Sequence, residues 1–109
     1  MREGRPEMSE AERSLERISG MESRLDETTN RTAELQKQLE AVRKMKENTK
    51  SLFQYYGSGD WYADRERPLP EGFKAGVLSE DSVYDAMTGL RDAAFGMLEL
   101  GTEILKEWL

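Results

Sequence analysis

The stretch that decides the fold is "GVLSEDSVYD", residues 76–85. Three acids and a tyrosine crowd behind a glycine, a pattern that suits either a reactive site or the first turn of a helix. Ser79 is a good N-cap, because its hydroxyl can accept a hydrogen bond from a backbone N–H that has no helical partner. Glu80 and Asp81 then put carboxylates at the positive end of the helix dipole. Leu78 just before the cap and Val83 at the fourth helical position have the spacing of a hydrophobic staple. Gly76 permits the turn that leads in. Each residue from 76 to 83 has a structural task, so the stretch reads as a helix start.

From that start, Val83, Met87, Leu90, Ala94, Met97, Gly101, Ile104 and Trp108 alternate steps of four and three. They share one face of a helix over about 79–108. Gly89, Gly96 and Gly101 weaken it in isolation and admit a close neighbour. Upstream, Ser9 and Glu12 make a capping box. A heptad follows, with Ala11, Ile18, Leu25, Thr32, Leu39, Lys46 and Phe53 at a, and Met21, Thr28, Leu35, Val42, Thr49 and Tyr56 at d. The spacing predicts one long helix over about 9–56, roughly 70 Å of rod, stopped by Gly57 in the left-handed region. Gly20 and "TTNRT" (28–32) soften its middle, where a bend and a continuous helix both remain open.

Between the helices, residues 57–78 read "GSGDWYADRERPLPEGFKAGVL". Trp61, Tyr62, Leu69, Phe73, Val77 and Leu78 are too much apolar surface for a loop left in water. One helical turn is expected to start at Asp60 and end before Pro68, and Pro70 to begin another. The resulting fold class is all-α: a long antiparallel, coiled-coil-like helical hairpin with an ordered, aromatic-rich crossing loop that contains short helical turns. Residues 1–8 read as a flexible N-terminal extension and 9–109 as a single helical domain.

Composition narrows the chemistry. The 109 residues contain no Cys and no His, which removes thiol nucleophiles, disulfides and the commonest base and transition-metal ligand. Residues 1–50 carry 11 basic and 11 acidic side chains, so the whole net charge of -6 lies in the second half. An acidic surface does not release counterions from nucleic acid, so no direct nucleic-acid binding is expected. No apolar run is long enough for a membrane span, and no signal segment precedes the first helix. A soluble cytoplasmic protein is expected.

The combination of "ERISGME" (16–22), "YYGSGDWYAD" (55–64), "LPEGFKAGVLSEDSVYD" (69–85) and a closing helix through "ML" (97–98) resembles a family of small bacterial proteins, domain of unknown function 4298. The resemblance covers roughly residues 16–100. It implies no assigned activity, and it implies a bacterial cytoplasmic origin. Members of that family often carry more acids between the Trp and the Leu-Pro, where this chain has "YADRERP".

Two groups of side chains invite a functional reading. Glu80, Asp81 and Asp85, with Glu99 and Glu103 further along, are oxygen donors that would suit Mg²⁺. Acids on a single helix do not enclose an ion, so no metal, cofactor or catalytic residue is assigned and the chain is not read as an enzyme. The aromatics Tyr56, Trp61, Tyr62 and Tyr84, beside Tyr55, either order the loop or bind a protein partner.

The expected function is a non-enzymatic oligomerising or adaptor-type protein-binding module. The alternatives are an acidic inhibitor of mobile-element type that mimics nucleic acid and, behind it, a magnesium-dependent nucleotide hydrolase. Folding the last helix back with Val83 beside Phe53 sets Trp108 beside Thr28, which leaves Leu15, Ile18, Met21 and Leu25 uncovered. A homodimer through that stripe, with the two overhangs paired antiparallel, is therefore expected.

Overall fold

A computed structural model describes residues 9–109, and all regular structure among them is helical. The expected extension at 1–8 lies outside the described residues. In chain order the elements are α1 (Glu10–Lys44), α2 (Lys46–Tyr55), α3 (Gly59–Arg65), a 3₁₀ turn (Gly76–Leu78) and α4 (Glu80–Glu103), which ends in a π-helical turn (Ile104–Trp108). The chain divides into two compact units, one ending at Lys44 and the other running Met45–Leu109.

The first unit is α1. The Glu12 N–H donates to the Ser9 hydroxyl at 3.1 Å, the cap that the S-x-x-E spacing predicts. The helix runs unbroken through Gly20 and through the 28–32 stretch. Pairs such as Arg31 with Glu34 lace its surface, and none of its residues is buried.

The single helix expected over about 9–56 is interrupted at Met45. There φ is -85° and ψ -2°, which leaves the helical ladder for one residue before α2 begins. Arg43 and Lys44 in the last turn of α1 and Glu47 in the first turn of α2 are favourable at those ends of a helix dipole, while Lys46, which opens α2, is not. The a position at this point is Lys46, so no apolar knob holds the heptad together across it.

In the second unit α2 and α4 form a helical hairpin. Phe53 on α2 lines a shallow depression with Tyr84, Met87, Thr88 and Arg91 of α4, within a turn of the Val83 beside which the counting set it. Gly57 adopts φ 77°, the left-handed conformation that ends α2. Val83 is 3% exposed, and Met87 and Leu90 on the same face are half-buried.

The crossing segment is more regular than its composition suggests. α3 starts at Gly59 rather than Asp60, because the Ser58 hydroxyl accepts the Trp61 N–H at 3.2 Å and caps it. Pro70 begins a β-turn rather than the expected helical turn: the Phe73 N–H donates to the Pro70 carbonyl at 3.1 Å, and Gly72 at φ 76° takes the left-handed conformation that a helix excludes. The 3₁₀ turn then delivers the chain to Ser79, whose hydroxyl accepts the Ser82 N–H at 3.0 Å.

Removing this last cap has a defined cost. Ser79→Ala should lower stability by about 1 kcal/mol in urea denaturation. Asp85→Asn, at an exposed position of α4 one turn further on, should change it little.

Candidate functional site

The centre of the second unit is Trp61, third residue of α3 and 3% exposed. Its indole N–H donates to the Val77 carbonyl at 2.9 Å, which ties α3 to the 3₁₀ turn. The Tyr56 ring meets it edge-on at 5.1 Å, and the Tyr62 ring at 5.0 Å. The Arg65 guanidinium lies 4.5 Å from the centre of the indole, a cation–π contact one helical turn along α3. Arg65 also pairs with Glu80 at 3.4 Å, and the Tyr56 hydroxyl donates to the Glu80 carbonyl at 2.8 Å. Thus the end of α2, α3, the 3₁₀ turn and the first residue of α4 all close on one ring.

A second tie runs beside it. The Tyr55 hydroxyl donates to an Asp64 carboxylate oxygen at 2.6 Å. That hydrogen bond foremost, then partial burial and the negative charges of Asp64 and Asp60, push the Tyr55 phenol up to about 12 from its ordinary 10.0.

Of the four aromatics predicted to bind a partner, the structure brings Tyr56, Trp61 and Tyr62 together and sets Tyr84 apart. Trp61 is buried and Tyr56 half-buried, which suits ordering of the loop; Tyr62 stands exposed. Tyr84 is exposed on α4, beside Phe53 rather than Trp61. The other predicted patch, Leu15, Ile18, Met21 and Leu25 on α1, is between 56% and 68% exposed. Among the described residues, no group of three acidic side chains is placed to hold a metal ion.

Two features escape the sequence reading. The first is an open, largely apolar groove of about 270 Å³ beside the crossing segment, walled by Tyr55 and floored by Leu69, Phe73, Val77 and Leu78. Arg67 and Lys74 stand at it, and among the described residues neither forms an ion pair. The second is a further apolar row on α4, Phe95 and Leu98, at 64% and 68% exposure. Its three-residue spacing is visible in the sequence, but the longer Val83–Trp108 row hides it.

Fold and site together define an all-α protein built on a tryptophan-centred helical hairpin, with exposed apolar helix faces. The chain belongs to the family named domain of unknown function (DUF4298), whose model matches residues 18–100. No curated protein matches the chain. No helix among the described residues is long and apolar enough to cross a membrane.

Trp61→Ala should lower stability by about 3 kcal/mol, the usual cost of emptying a packed aromatic site. With Trp108 replaced, the fluorescence of Trp61 should be blue-shifted and poorly quenched. A red, readily quenched spectrum would contradict the buried ring. For Tyr55 the folded pKa exceeds the unfolded one, so its stabilising share is whole below pH 10 and lost as pH rises through about 12. Alkaline unfolding of Tyr55→Phe should lack that share of the pH dependence.

Proposed function

We propose that the protein is a non-enzymatic, self-associating module that binds protein through its helix faces and works as a cytoplasmic homodimer or adaptor. The observation that carries this reading is α1. It is 35 residues long, and none of its residues is buried. Most helical stability in proteins comes from packing an apolar stripe against a neighbour rather than from propensity. On α1 the stripe is present, in Leu15, Ile18, Met21 and Leu25, and it stands in solvent. An exposed row of this kind marks an interaction surface. A second copy supplies an equal row, so one two-fold contact covers both. The lack of Cys suits a reducing compartment.

Light scattering on the purified chain should give twice the chain mass. Ile18→Asp combined with Leu25→Asp should give a monomer in which the hairpin around Trp61 is still folded. A wild-type chain that stays monomeric at high micromolar concentration sinks the self-association reading.

A further inference from the structure

The exposed row of α1 divides the surface of that helix into two flanks. At 3.6 residues per turn, Arg13, Arg17 and Arg24 follow one side of the row, and Glu12, Glu22 and Asp26 the other. All six are exposed. Glu16, the remaining charge between 12 and 26, lies on the back of the helix. With Ile18 and Leu25 at a and Met21 at d, Arg17 and Arg24 fall at g and Glu22 at e, the positions that face a neighbouring helix across the seam. Arg17 reaches the Ser14 hydroxyl at 3.3 Å on its own helix. Among the described residues the ion pairs of α1, Arg31 with Glu34 and Arg43 with Glu40, lie beyond this stretch.

A helix with one basic and one acidic flank matches its own copy in one direction. Parallel copies in register set each g position against the e position five residues on, so Arg17 meets Glu22 twice and Arg24 meets Thr29. Ile18, Met21 and Leu25 then each meet their own counterpart. Antiparallel copies set g against g. With the overhangs centred on the row, Ile18 falls beside Met21 of the second copy, but Arg17 falls beside Arg24 and Leu25 against Ser14. Glu10 with Arg31, the opposite-sign pair of that arrangement, lies past both ends of the row.

We propose that the Leu15–Leu25 row is covered by the same row of a second copy lying parallel and in register, with Arg17 of each chain paired to Glu22 of the other. The inference rests on the self-association proposed above and gives it a direction, in place of the antiparallel pairing of the overhangs. The apolar side chains supply the contact by losing their water, and the flanking charges choose between the two directions. Both chains then leave the contact the same way, toward Lys44.

The chain has no Cys, so single cysteines placed in the full-length protein report the direction. Ser14 is at d, in the seam, and Ser23 is at f, on the back of the helix. Under mild oxidation Ser14→Cys should give a disulfide-linked dimer far faster than Ser23→Cys, because residue 14 faces residue 14. In the antiparallel arrangement the two copies of residue 14 are roughly 16 Å apart along the helix, beyond the reach of a disulfide. Ser14→Cys linking no faster than Ser23→Cys overturns the proposal, and so does a preferred link between Ser14→Cys and Leu25→Cys chains in a mixture. Charge reversal is the second measurement, with circular dichroism verifying unchanged helix content. In sedimentation equilibrium Arg17→Glu and Glu22→Arg should each weaken association at least about fivefold, and their equimolar mixture should regain it. Antiparallel copies would instead lose an Arg–Arg opposition in Arg17→Glu, so unchanged or tighter association of that variant also overturns the proposal. Those outcomes leave self-association itself intact, whereas a monomeric wild type removes it, so the two failures are distinguishable.

Discussion

The hydrogen bond from the Trp61 indole to the Val77 carbonyl is the constraint on which the second unit depends. Without it, the segment between α3 and α4 would have to bury or solvate a large ring with no partner for its N–H, at a cost of a kilocalorie or more. With it, the ring becomes a fixed post. Tyr56 packs on one edge, Arg65 covers the indole, and Glu80 takes a contact from each. Trp61 and Val83 are the only buried apolar side chains among the described residues, so the hairpin is held by a small centre whose polar atoms are all used. Local hydrogen bonding here offsets a shortage of core.

Signals written within four residues were legible in the sequence. The caps at Ser9 and Ser79 and the left-handed Gly57 are stereochemical necessities of single turns, and each is found where its residue type demands. The start of the Val83 face was equally legible, since a periodicity of 3.6 residues needs no knowledge of the partner, but Met97 and Trp108 further along the same row stand 45% and 62% exposed. What was not legible depends on distance. Tyr55 reaches Asp64 nine residues away, and Trp61 reaches Val77 sixteen away, through a path that only the folded loop defines. Arg65 is four residues from Trp61, a spacing that is visible in the sequence. Its choice of the indole over solvent follows from the burial of the ring.

The interruption at Met45 shows how a continuous pattern misleads. The heptad pattern runs across 9–56, yet it carries Lys46 at an a position and a change of charge sign beside it. The pattern of apolar positions alone does not register a break where the a position is a lysine, and the chain leaves the helical ladder at the neighbouring Met45. The soft residues at 28–32 made no break, because weak propensity lowers stability without choosing a boundary. The same distinction separates the aromatics. Tyr62 and Tyr84 look alike in the sequence, and only placement sets one against Trp61 and the other beside Phe53.

The absence of buried residues from α1 has a dynamic consequence. Amide exchange proceeds through openings whose free energy follows the packing each opening breaks. In the second unit, the amides of α3 and the first turns of α4 open only when the tryptophan post is released, so their protection approaches that of the whole unit. In a single chain those of α1 have no packing to break, and they should exchange at rates close to those of an isolated peptide helix. Any molecule that covers the Leu15–Leu25 row slows that exchange along a stripe with the period of the helix, so protons on this one element record its occupancy.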